Sequence, residues 1–363
     1  MRILLLGGTG AMGVSLKEIL AGRGDEVFVT SRRVHEPEDN NIQYLLGDAH
    51  NEVFLSDVLK RKYDAIVDFM IYGSGEFALR ANKLLESTEQ YIFTSSSRVY
   101  AYSEAPITEL SPRLLDVCNH KDYLGTDEYA LAKAREENVL FDSGTTNWTI
   151  IRPYITYNVE RLQLGTIEKD VWLYRALHGR SAPLPKDVAE HQTTMTYGGD
   201  VAYAISCLIG NRRADGEVFN LTGTQHMAWS DVWNIYSKEI QQQTGKIPQI
   251  YSPENSSGLW KVMGNEYQVR YDRLFDRIFD NSKLISVCGD LNFMPMEEGL
   301  SMCLREFIQH PNWNGRFGCR LEAYLNSQTG EKMHCSELGN MFAKLRYLGW
   351  RWLPGFMSIM KEK

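Results

Sequence analysis

Residues 2–20 read Arg2-Ile3-Leu4-Leu5-Leu6-Gly7-Gly8-Thr9-Gly10-Ala11-Met12-Gly13-Val14-Ser15-Leu16-Lys17-Glu18-Ile19-Leu20. Ile3 to Leu6 is an unbroken apolar run, short enough for a strand buried on both faces. Leu16, Ile19 and Leu20 then share one face of a helix. Between them Gly7, Gly10 and Gly13 follow the pattern G-x-x-G-x-x-G. Glycines at these places allow a tight turn, let the backbone approach a pyrophosphate, and let helix and strand pack closely. The helix N-terminus adds N–H groups and the positive end of a dipole. A glycine triplet alone is a weak signal; a strand before it and a helix after it give it weight. The stretch predicts a dinucleotide-binding turn built from Gly7, Thr9, Gly10, Ala11, Met12 and Gly13.

Working outward, residues 26–30, 65–69, 91–94 and 148–151 also read as short buried strands, with a further strand ahead of Gly47. Helical spacing recurs between them, as at Phe77, Leu79, Ala81 and Leu84. Alternation of this kind implies an α/β fold, a Rossmann-type doubly wound parallel sheet. After Arg152-Pro153 the rhythm changes. Residues 158–193 are mixed and polar, with 179–186 reading as a loop; 200–208 returns as a helix, 218–221 as a strand and 230–243 as an amphipathic helix. The expected organisation is a Rossmann core at 1–157 with 194–224 returning to it, a smaller substrate-binding part at 158–193 and 225–311, and a helical extension at 312–363.

Composition narrows the partners. With 39 basic and 46 acidic residues the formal charge is −7, which lacks the basic footprint of bulk nucleic-acid binding. Cys118, Cys207, Cys288, Cys303, Cys319 and Cys335 are never spaced as C-x-x-C, so buried free thiols are expected and a metal site is not. The chain has neither a signal-peptide pattern nor an apolar run of 18 residues. A cytoplasmic protein without a transmembrane segment is expected.

The residues ending the second strand choose between NAD and NADP. A carboxylate there would bind a ribose 2′-OH. The chain instead has Ser31, Arg32 and Arg33, and guanidiniums suit a 2′-phosphate, so NADP is expected over NAD. Asp48 and Ala49 follow the third strand, where an adenine amino group would lie.

Tyr129 and Lys133 stand four apart on one helical face. With 19 tyrosines in the chain, such a pair means little by itself. Its place after the glycine turn and after a strand ending Thr94-Ser95-Ser96-Ser97-Arg98-Val99-Tyr100 gives it meaning. An ammonium near a phenol favours the phenolate, which makes Tyr129 a candidate general acid and base. Together GGTGAMG (7–13), GDA (47–49), SSSRVY (95–100), YALAK (129–133), IIRPYITY (150–157), GDVA (199–202) and VFNLTG (218–223) resemble the extended short-chain dehydrogenase/reductases of the NAD-dependent epimerase/dehydratase group. The resemblance implies Ser96, Tyr129 and Lys133 as the catalytic set, Lys133 also on the nicotinamide ribose, Phe69 and Pro153 along the cofactor, and Tyr100, Tyr154, Thr193 and Arg270 toward a substrate.

Four positions depart from that group. Ser97 and Arg98 replace the Asp-Glu pair of its dehydratases, so water elimination is not expected. Thr193 replaces an arginine that binds the substrate diphosphate, and Asn158 replaces a glycine. Arg161, Lys169, Arg180 and Arg270 are candidate phosphate contacts, and Cys118 and His120 candidates for acid–base work at a ring carbon. The resemblance implies a nucleotide-sugar epimerase and a homodimer, with an NADPH-dependent ketosugar reductase as the alternative. A non-catalytic RNA-binding relative of the fold is a reading of another class. Residues 340–363 interleave aromatic and basic side chains, with breaks expected at Gly349 and at Pro354-Gly355. Packing on the chain itself or on a second subunit is expected there ahead of membrane contact.

Overall fold

A computed structural model describes residues 1–36, 39–313 and 318–361, with the backbone alone at Cys335, Ile359, Met360 and Lys361. Glu362 and Lys363 of the basic segment lie outside the described residues. Seven strands form one parallel sheet: β1 (Arg2–Leu6), β2 (Glu26–Ser31), β3 (Ile42–Leu46), β4 (Tyr63–Asp68), β5 (Thr88–Thr94), β6 (Trp148–Pro153) and an edge strand, Glu217–Leu221. Their order is β3-β2-β1-β4-β5-β6-edge, so the direction of winding reverses between β1 and β4. This is the doubly wound Rossmann-type architecture that the sequence predicts.

Helices α1 (Gly13–Gly22), α2 (Glu52–Leu59), α3 (Ser74–Glu86), α4 (Tyr129–Phe141) and α5 (Gly198–Leu208) cover the sheet. Successive side chains of β1 point to opposite faces. Ile3 and Leu5 join Leu16 and Leu20 of α1 and Ile205 and Leu208 of α5. Leu4 and Leu6 join Leu55 of α2, Phe77, Ala81 and Leu84 of α3, and Leu140 of α4. Burial on both faces is why β1 is apolar from Ile3 to Leu6. Leu79 departs from expectation: two residues from Phe77, it turns to solvent.

The chain divides into two compact units, one of Met1–Asn158, Thr194–His226 and Arg277–Gly299, the other of Val159–Thr193, Met227–Asp276 and Leu300–Lys363. The first takes in 277–299, which sequence alone assigns to the substrate part. Asn281 donates to the Thr222 carbonyl at 2.8 Å and the Met294 N–H to Asp200 at 2.7 Å, while Leu284 and Leu291 enter its core. In the second unit the segment from 312 onward is not a separate extension. Arg175, on the Lys169–Leu177 helix, pairs with Glu322 at 2.7 Å and Glu331 at 2.6 Å, and Arg180 pairs with Glu337 at 2.8 Å. The expected loop at 179–186 contains a short strand, Ala182–Pro183, paired with Ile250–Tyr251.

The last helices are Met341–Trp352 and Pro354–Lys361. Gly349 does not break the first of them. A Cβ there would lie 2.7 Å from the Met357 sulfur, so the glycine serves close packing between the two helices. Among the described residues no helix is long and apolar enough to cross a membrane.

Candidate active site

The first unit carries a cavity of about 300 Å³ where β1 to β4 end. It lies at the reversal of winding, the place where ligands of open α/β sheets bind. Gly7, Thr9, Ser31, Arg32, Asp48, Ala49 and Phe69 line it, all of them expected, together with Thr30, Gly47, His50, Met70 and Ile71. Gly7 has φ +70° and its N–H donates to Thr30 Oγ1 at 3.0 Å, which fixes the turn. A Cβ on Gly13 would lie 2.4 Å from the Gly8 carbonyl oxygen, so only glycine lets α1 start there. A Cβ on Gly10 would meet no atom of the protein and would fill the cradle above the turn. That cradle, with the N-terminus of α1 behind it, has the shape and donors to hold a pyrophosphate. Arg33 does not line the cavity; its N–H donates to Ser31 Oγ at 3.1 Å.

Ser96 follows β5, and its Oγ accepts from the Arg98 N–H at 3.2 Å as the cap of a short turn. The Arg98 guanidinium lies 5.4 Å from the centre of the Tyr129 ring and is ion-paired with Glu128, the residue that caps α4. Arg98 thus links the serine turn to Tyr129. One turn further along α4, the Lys133 ammonium lies 4.5 Å from the centre of the Phe93 ring and 3.5 Å from the Met70 carbonyl oxygen, in the cavity wall.

Lys133 is ion-paired with Glu136 at 2.9 Å, and both side chains are buried. Glu136 Oε1 is buried without a hydrogen bond. Burial raises the Glu136 carboxyl to about 7, against the opposing pull of Lys133. Asp68, at the end of β4, is also raised by burial, although the Tyr72 and Tyr91 hydroxyls donate to it at 2.9 and 2.8 Å. Sequence reasoning missed Glu136. Its signal was available, as a second charge one turn beyond Lys133, but not its burial.

The candidate substrate residues are spread over both units. Tyr100 is buried, its hydroxyl donating to Asn220 at 2.7 Å and accepting from Arg152 at 2.7 Å, so it braces the fold. Tyr154 packs 5.2 Å from Phe279, ring to ring. Thr193 lies in the second unit with its Oγ1 buried, and Arg270 of that unit pairs with Glu266 at 2.8 Å. Arg180 is engaged by Glu337, and Lys169 is buried 3.5 Å from Asp170 and 3.4 Å from the Asn312 carbonyl. Arg161 lies 3.5 Å from Glu168. Pro153 ends β6. Cys118 and His120 precede α4 and are half-buried. Of the thiols described, Cys303 is buried and Cys118, Cys207, Cys288 and Cys319 half-buried, all of them free.

The fold is a doubly wound α/β sheet that carries a cavity where its winding reverses. The same fold is found in solved epimerases and dehydratases. UDP-glucose 4-epimerase from Bifidobacterium longum, solved with NAD+ and UDP, superposes with a TM-score of 0.64 at 17% identity, over 86% of this chain and 99% of that one. dTDP-glucose 4,6-dehydratase from Bacillus anthracis, solved with NAD, gives 0.65 at 16%, over 86% and 98%. No protein-family model matches the chain. Among curated proteins it is similar to the chloroplast stem-loop binding protein of 41 kDa b of Arabidopsis thaliana, 27% identical over 257 residues, covering 65% of this chain and 62% of that protein. It is also similar to 2′-dehydrokanamycin reductase of Streptomyces kanamyceticus, 24% identical over 242 residues, covering 64% and 65%. The match therefore spans less than two thirds of either relative.

Proposed function

We propose that this chain is a nicotinamide-dependent nucleotide-sugar epimerase working through a transient ketosugar, with Tyr129 as general acid and base. One observation carries the reading: Arg98 joins the Ser96 turn to Tyr129, and Lys133, one turn along the same helix, lies 3.5 Å from the Met70 carbonyl oxygen, and Met70 lines the cavity. The nicotinamide, when bound, supplies a reversible hydride acceptor. Tyr129 takes the proton of a ring hydroxyl and later returns it. The Arg98 guanidinium lies 5.4 Å from the centre of the Tyr129 ring, and Ser96 donates to the reacting oxygen. A nicotinamide held there would take the C–H hydrogen as hydride and return it to the opposite face, so no net redox change would result. Ser97 and Arg98 supply no acid–base pair for losing water: Ser97 Oγ donates to the Arg152 carbonyl at 2.7 Å and Arg98 is held by Glu128.

Two observations favour other readings. Arg32 in the cavity suits NADP, the usual partner of net reduction, and the reductase relative points the same way. A ketosugar reductase would use the same residues, with Tyr129 donating the proton. The stem-loop binding relative favours an RNA-binding protein, against which the charge of −7 weighs. Incubating the purified protein with UDP-, GDP-, CDP- and dTDP-sugars separates them. Epimer formation without a change in dinucleotide absorbance supports the epimerase. Stoichiometric NADPH consumption with a ketosugar replaces it with the reductase. Sub-micromolar stem-loop binding without turnover replaces both.

A further inference from the structure

Independently of that reading, we propose that the last helices form a docking surface for an anionic membrane. Met341, Leu345, Leu348 and Trp352 are spaced by four, three and four residues, so they share one face of the Met341–Trp352 helix. All four are exposed, from 47% at Leu348 to 70% at Trp352, and the neighbouring Phe342 and Phe356 are exposed with them. The opposite face is the one that packs: Tyr347 and Trp350 are buried with Ala323, Met333 and Leu338. The fold therefore fixes the helix by one side and presents an apolar stripe on the other.

Cations flank the stripe. At 100° per residue, Lys344 and Arg351 fall on one side of it and Arg346 on the other. The Arg346 guanidinium lies 5.8 Å from the centre of the Phe342 ring and that of Arg351 lies 5.5 Å from Trp352. Among the described residues none of these three cations has a carboxylate partner, and residues 340–361 contain no Asp or Glu. Aromatic and apolar side chains rimmed by unpaired cations match a bilayer surface, where rings lie at headgroup depth and cations meet anionic lipid. A second copy fits less well. A two-fold contact sets a patch against itself, which would bring like charges together with no acid among residues 340–361 to pair them.

The test uses the full chain and vesicles of phosphatidylcholine alone or with about a third phosphatidylglycerol. The wild type is expected to sediment with the anionic vesicles and to be released by high salt. Replacing Lys344, Arg346 and Arg351 with Gln should weaken that binding about a hundredfold, at about fivefold per cation. Replacing Leu345 and Trp352 with Ser should abolish it, and as both are exposed the thermal midpoint should not move. Equal binding to both vesicle types, or to neither, overturns the proposal. So does a dimer that the Ser variant converts to monomer without any lipid binding.

Discussion

Glu136 and Glu137 are adjacent on α4, both buried, and live in opposite circumstances. Glu137 is saturated: Arg152 holds it in a fork at 2.8 and 2.7 Å, Ser95 donates at 2.6 Å and Arg113 at 3.1 Å. Arg152 continues to Tyr100 and Asn220, so this side of the helix ties β5, β6 and the edge strand together. Glu136 has one cation, one oxygen without a partner and another buried acid, Asp68, nearby. A saturated buried network fixes geometry, whereas an incomplete one leaves a group able to change protonation. The helix thus has a bracing side at Glu137 and an incompletely paired side at Glu136, and the proposed function puts Tyr129 and Lys133 to work on the latter.

Tyr129→Phe should have the largest effect. It removes the proposed proton carrier and little else, so turnover should fall by roughly 10²–10⁴ while dinucleotide affinity stays within a few-fold. Steady-state rates and cofactor titration check both halves, and full activity in the Phe variant would break the division between the two sides. On the bracing side, Glu137→Ala leaves Arg152 buried without its counter-ion. Removing one partner of a buried pair costs about 3–5 kcal/mol. Denaturant unfolding should register that loss, and a change below about 1 kcal/mol would show that the network is not a brace.

The glycine turn, the buried strands and the Tyr129–Lys133 spacing were legible because each is local: a run, a triplet or a repeat on one helix. The division between Glu136 and Glu137 was not. It depends on Arg152 from β6 and Lys133 from within α4 choosing different neighbours, which no local pattern encodes. The same holds for Arg180, whose partner Glu337 comes from the far end of the chain, so an arginine that suits a phosphate proves to be an internal tie. Gly349 read as a breaker because its reason, the approach of Met357, lies in packing. Leu79 is a different failure, a loose helical spacing counted as one face.

The Lys133–Glu136 pair gives a pH-dependent prediction. The folded Glu136 carboxyl, at about 7, lies above its ordinary 4.5. The sign is that of a raised pKa: its contribution to stability is fully present below about 4.5 and is lost as pH rises through about 7. Lys133, Asp68 and Asp127 are the charges acting on it, with Tyr91 close by. Measured against Glu136→Gln, the wild type should therefore lose on the order of 1–3 kcal/mol between pH 5 and 8. Unfolding curves for both proteins across that range test it. A difference that is flat with pH would place Glu136 with Glu137 among the braces.

The smallest expected effect belongs to another pair of neighbours, Arg32 and Arg33, where the same distinction applies. Arg32 lines the cavity, while Arg33 lies outside it and uses its backbone N–H on Ser31, whose hydroxyl also bonds His35 at 2.9 Å. A charge-assisted hydrogen bond to phosphate is worth about 1.5–3 kcal/mol when well formed, and Arg32 is exposed, so solvent reduces it. Arg32→Ala should then weaken NADP about tenfold, the equivalent of about 1.4 kcal/mol, and leave NAD nearly unchanged. Arg33→Ala keeps the backbone donor and should alter neither cofactor more than about twofold, within the small effects usual for surface substitutions. Isothermal titration of the four combinations decides the point. If Arg33→Ala matches Arg32→Ala, both guanidiniums serve the phosphate and facing the cavity is not what distinguishes them. If both cofactors weaken together, the 2′-phosphate is not what Arg32 recognises.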